Sequence, residues 1–217
     1  MLAVARDVPI LNPPASATDA VPLYGPPVAI TTGLDFAPTG FAATAAAGAI
    51  DLTDGQLNFT VMAPVVAAIS VTEAGDYSLL SPGTAAAQVA AGASIRATVT
   101  QIDGVDVAPV LLSPSGAAVA FDVLSNPGAL RPWSLGATIN VAAQMALLGL
   151  GNATKVDVVI DNQLIAISEA VSSASISKTE FVVEIEPGVP EPSAIALAGL
   201  ALLGLGMSQS RCRLAQS

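Results

Sequence analysis

Apolar residues in this chain recur at every second position, and that periodicity is what most limits its fold. In QLNFTVM (56–62), Leu57, Phe59 and Val61 face one way while Asn58 and Thr60 face the other. In SIRATVTQ (94–101), Ile95, Ala97 and Val99 oppose Arg96, Thr98 and Thr100. The alternation returns in ATINVAAQM (137–145), through Ile139, Val141, Ala143 and Met145, and in EFVVEIE (180–186), through Phe181, Val183 and Ile185. Each such stretch predicts a half-buried strand.

Turn signals separate the strands at short intervals: Asp54-Gly55, Ala74-Gly75-Asp76, Ser81-Pro82-Gly83, Asp103-Gly104, Ser113-Pro114, Asn126-Pro127-Gly128, Gly151-Asn152 and Asp161-Asn162. That spacing leaves no room for crossover helices, so it predicts an all-β fold, an antiparallel β-sandwich of jelly-roll or Ig-like type over residues 27–186. Residues 1–26 read as a loose Pro- and Ala-rich segment. GFAATAAAGAI (40–50) predicts a short helix from its alanines, and residues 153–186 predict three strands. Phe59, Phe121 and Phe181 fall on strands and are expected in the core. Trp133 has two readings, a core plug or a platform on which a sugar ring stacks.

Composition removes many chemistries. Histidine is absent and the single cysteine is Cys212, so the body has no means for disulfides, Cys/His zinc sites or His-based nucleophilic catalysis. A net charge of −10 with no basic cluster argues against nucleic acid as a partner. Paired carboxylates are the acid/base groups that remain: Asp51 with Asp54, Asp103 with Asp106, and Asp157 with Asp161. All three pairs are equally explained by turn chemistry. No DxDxDG run points to calcium, which stays an alternative stabiliser with no assigned ligands. Asn58 and Asn152 begin short glycosylation-type patterns that carry little weight.

The chain closes on VPEPSAIALAGLALLGLGMSQSRCRLAQS (189–217). Prolines hold Pro190-Glu191-Pro192 extended, a form that a processing enzyme can grip. Residues 194–207 then form an apolar run of about 14 residues, roughly 21 Å as a helix, which is short for a full membrane crossing. Flanking uncharged residues extend this hydrophobic helix to 193–210, with Ala194, Leu197, Leu200, Leu203 and Leu205 along it. Arg211 and Arg213 follow and would hold that end on the cytoplasmic side.

This layout resembles a PEP-CTERM protein-sorting signal, over 29 of 217 residues. The resemblance implies a substrate of an exosortase, a membrane-embedded processing enzyme, with Pro190, Glu191 and Pro192 as the recognised residues. It also implies export, first as an inner-membrane-anchored precursor and then at the cell surface or in an extracellular polysaccharide matrix. The two arginines, split by Cys212, are a thinner basic end than the family usually has. The family also carries an N-terminal secretion signal, and MLAVARDVPILNPPASATDA lacks that pattern, so the true start is expected upstream.

The domain organisation expected is therefore 1–26, 27–186 and a sorting segment 187–217. The body is expected to be a non-enzymatic structural, adhesive or carbohydrate-binding module, with polysaccharide as a partner. The alternatives are a carboxylate-dependent glycan hydrolase and a calcium-stabilised binding module.

Overall fold

The structure, a computed structural model, describes residues 5–6, 23–80 and 82–188. Its elements in chain order are β1 (Ala5–Arg6), β2 (Val28–Ile30), β3 (Gly33–Phe36), β4 (Ala42–Ala46), β5 (Ile50–Met62), β6 (Val66–Leu80), β7 (Gln88–Ile102), β8 (Val105–Leu111), β9 (Ser115–Asp122), β10 (Gly128–Asn140), α1 (Val141–Leu147), β11 (Ala153–Ile167) and β12 (Ser173–Pro187). One sheet runs β1-β5-β11-β7-β8, with β9 also on β7. The other runs β10-β6-β12-β3-β2, with β4 also on β12. Every pairing among the described residues is antiparallel.

The two sheets pack face to face as a sandwich, as the alternation requires. Val156, Val158 and Ile160 of β11 and Ile95, Ala97 and Val99 of β7 meet Val71 of β6 and Ile176, Phe181 and Val183 of β12 in one buried core. Tyr77 of β6 stacks on Phe121 of β9 across the sandwich, with ring centroids 4.3 Å apart and planes within 10°. At one end of the core Tyr24 meets Phe36, Phe41 and Phe181 in tilted and edge-on contacts at 5.1–6.2 Å.

Asp103-Gly104 is the two-residue hairpin turn expected between strands. Both residues have positive φ, 47° and 81°, which matches the twist of β7 and β8. Three other expected turns lie inside long strands: Asp54-Gly55 in β5, Ala74-Gly75-Asp76 in β6 and Asp161-Asn162 in β11. Residues 153–186 accordingly hold two long strands in place of three. The alanines at 42–46 form strand β4, because pairing with β12 and burial of Ala43 and Ala45 outweigh helix propensity. The expected strand through Met145 ends at Asn140. That side chain accepts from Ala143 N at 2.8 Å and caps α1, whose Val141 and Met145 are buried one turn apart.

Candidate functional site

Three polar side chains are aimed into the apolar space between the sheets. Glu73 on β6 and Asn162 on β11 are fully buried and Lys178 on β12 is 2% exposed. Lys178 Nζ donates to Asn162 Oδ1 at 2.9 Å and lies 2.8 Å from Glu73 Oε2. The contact with Glu73 is at ion-pair distance but off the angle of a hydrogen bond, and neither Glu73 oxygen has a hydrogen-bond partner among the described residues. Asn162 Nδ2 donates to the Tyr24 hydroxyl at 2.9 Å.

Aromatic rings wall the cluster. The ammonium stands 4.2 Å from the centroid of Phe41, 5.1 Å from Phe181 and 6.0 Å from Tyr24. Burial lowers the Lys178 pKa to about 8, although the neighbouring Glu73 charge opposes that shift. Burial pushes the Glu73 carboxyl up, with Lys178 pulling the other way. Burial also raises the Tyr24 hydroxyl, so it stays neutral. In so dry a site a neutral amine beside a neutral acid is a real competitor to the ion pair.

Strand phase puts these groups there. Glu73 continues the inward row Ile69 and Val71, and Asn162 continues Val156, Val158 and Ile160. Lys178 continues Ala174 and Ile176, after which a register shift between Lys178 and Glu180 restores Phe181, Val183 and Ile185 to the core. Lys178 pairs with Gly75, and Glu73 lies diagonally across from it on the neighbouring strand. The period-two reading took in none of the three. Their signal was present all the same: each is a polar residue on the apolar phase of its strand.

Five of the six carboxylates singled out by sequence are engaged on the surface and turns. Asp51 accepts from Thr44 N at 2.7 Å, and Asp103 accepts from both nitrogens of Asn152 at 3.1 Å. Asp106 accepts from Gln101 at 3.1 Å, Asp157 from Thr60 at 2.7 Å, and Asp161 pairs with Arg96 and with Gln56. Asp54 and Asp161 lie close enough for Asp161 to help raise the Asp54 carboxyl, after the larger effect of burial. Among the described residues no group of three or more Asp, Glu, His or Cys side chains gathers as a cation site.

Trp133 is a core plug. It is 4% exposed and its Nε1 donates to Ser177 O at 3.0 Å, so no face is offered to a sugar. Asn58 donates to Gln56 at 3.2 Å on the outer face of β5, where Gln56, Asn58, Thr60, Arg96, Asp157 and Asp161 make a polar surface.

Strand β12 ends at Pro187, paired with Val66, and Gly188 N donates to Val65 O at 3.0 Å. Pro190, Glu191, Pro192, the helix at 193–210, Arg211 and Arg213 lie outside the described residues. Among the described residues no helix is long and apolar enough to cross a membrane.

No curated protein matches the chain. Solved structures with some likeness include TmCBM61 in complex with beta-1,4-galactotriose, at 8% identity and TM-score 0.26 over 71% of this chain and 70% of that one. A family 11 carbohydrate-binding module from Clostridium thermocellum, in complex with a beta-1,3-1,4-mixed-linked tetrasaccharide, is 12% identical with TM-score 0.20 over 76% and 91%. Eiger TNF from S. frugiperda is 10% identical with TM-score 0.22 over 70% and 97%. Likeness at this level carries no argument about ligand, and the sandwich assignment rests on the strand pairing above. Residues 188–211 match the model of the PEP-CTERM protein-sorting motif. The chain thus carries a PEP-CTERM protein-sorting motif that begins at the residue after the last of the described strands ends.

Proposed function

We propose that the chain is an exported surface or matrix protein made of a sandwich body and a C-terminal address segment, 187–217, of which residues 194–217 are removed. An exosortase-type membrane enzyme recognises Pro190, Glu191 and Pro192 while the helix at 193–210 holds the precursor in the inner membrane, with Arg211 and Arg213 on the cytoplasmic side. The body then serves as a structural or adhesive component, and the polar face of β5, β11 and β7 is the surface open to a matrix polysaccharide.

The observation that carries this reading is the position of the sorting motif, directly after Pro187 with no intervening domain. The engaged state of five of the six candidate carboxylates supports a non-enzymatic body. Replacing Pro190 and Glu191 by alanine tests the signal. In a host with the processing enzyme, the variant is expected to accumulate as full-length, membrane-associated precursor. Processing at the unmodified rate would overturn the assignment of these residues.

A further inference from the structure

We propose that Lys178 and Asn162 join through an intramolecular isopeptide bond, formed autocatalytically inside the folded sandwich with Glu73 as the proton shuttle. The groups needed are in place and shielded from water. The amine, the amide and the carboxyl are each at most 2% exposed, and Lys178 Nζ contacts Asn162 Oδ1 at 2.9 Å and Glu73 Oε2 at 2.8 Å. An amine held 2.9 Å from the amide oxygen differs in its distance to the amide carbon by no more than the C=O bond, about 1.2 Å, so a small shift brings it to the roughly 3–3.5 Å of a near-attack arrangement.

The step balances without oxidant or cofactor. Lys178 gives a proton to Glu73, and the neutral Nζ attacks Cγ of Asn162. The new Cγ–Nζ bond forms as the C=O electron pair moves onto Oδ1. Glu73 returns the proton to Nδ2, the C=O bond re-forms, and the Cγ–Nδ2 bond breaks. The returned proton makes the leaving group ammonia and the second Nζ proton passes to it as it departs, so one primary amide and one ammonium become one secondary amide and NH4+. Glu73 ends as it began.

The surroundings favour each part of this. The apolar walls that depress Lys178 and raise Glu73 populate the neutral amine beside a protonated acid. Among the described residues the Glu73 oxygens have no hydrogen-bond partner to hold them back. The Tyr24 hydroxyl, 2.9 Å from Nδ2, fixes the amide plane and holds the leaving nitrogen. The product joins β11 of one sheet to β12 of the other, the strand that leads into the sorting segment. The inference does not rest on the sorting motif and stands or falls separately from it.

The test is the intact mass of the full chain, purified from a host without the processing enzyme. A mass about 17 Da below that of the sequence is expected, the loss of one ammonia. Cleavage after Glu169, which lies between the two residues, must then leave the peptides containing Asn162 and Lys178 joined. Glu73→Gln, which keeps the side-chain volume, is expected to fold and to retain the full mass. An unmodified chain at full sequence mass overturns the proposal. So does a 17 Da loss whose peptides separate, because a succinimide at Asn162 loses the same ammonia without a cross-link. Both deciding readouts come from the unmodified sequence, so they hold even where the variant folds poorly.

Discussion

Lys178 is the residue whose change tells most about the core. Lys178→Met leaves Glu73 buried with no cation beside it, and the expected cost is about 3–5 kcal/mol by urea unfolding. Converting Glu73 to leucine in the same chain should recover much of it, since a buried ion pair is often no better than an apolar replacement. The pH response separates the free amine from a bonded one. In Asn162→Ala the amine stays free, with a folded pKa of about 8 against an ordinary 10.5. Between about pH 8 and 9.5 the unfolded chain then holds a proton that the folded chain has lost. Stability should therefore rise with pH, by up to about 1.4 kcal/mol per unit, and the full cost of burying the charge should be present below 8. Glu73 and Tyr24, the titratable groups that face the amine, have raised values, and neither contributes a rise of this sign. The unmodified chain, with its amine consumed, should lack that slope when melting is followed by circular dichroism across the same range. Equal slopes would contradict the bond. At Trp133 the change to Phe should cost about 1–3 kcal/mol, because Ser177 O loses its donor, and should leave any polysaccharide affinity unchanged. Nothing in the residue types alone marks Trp133 as plug or platform; the hydrogen bond to β12 decides it.

At the scale of elements, the alternation made the strands legible but concealed their length. β6 and β11 each run 15 residues, straight through glycine and Asx pairs that resemble turns. The glycines are there for packing. A Cβ on Gly75 would sit on the Ser177 carbonyl across the irregular stretch of β12. One on Gly55 would press within 2.8 Å of the Phe41 ring and 3.1 Å of the Tyr24 hydroxyl. Gly75→Ala is thus expected to cost at least about 1–3 kcal/mol, read as a lowered urea midpoint. The helix α1 was hidden for a different reason. Val141, Ala143 and Met145 satisfy period two, yet Val141 and Met145 are also one helical turn apart, and the cap at Asn140 settles the choice. Asn140→Ala should cost about 1 kcal/mol. The buried cluster was legible in principle, as Glu73, Asn162 and Lys178 each break an apolar row. What no single strand contains is that the three rows converge, which needs the pairing of β6 with β12 and the facing of β11 across the core.

For the whole molecule, the order of parts in the chain carries its proposed use. The body ends with β12 hydrogen-bonded between β6 and the β3/β4 edge, and the sorting motif starts at the next residue. A pull on that end before processing enters the middle of a sheet, and with the proposed cross-link it passes into the second sheet as well. The address segment was readable because its information lies in local order, prolines and a glutamate, then apolar residues, then arginines. The use of the body was not, because a binding surface is assembled from side chains on strands distant in sequence. Removal of the address segment is decided by the intact mass of protein recovered from the surface or matrix of a cell that contains the processing enzyme. The expected product lacks residues 194–217; a recovered product that retains them would show that the segment is not removed.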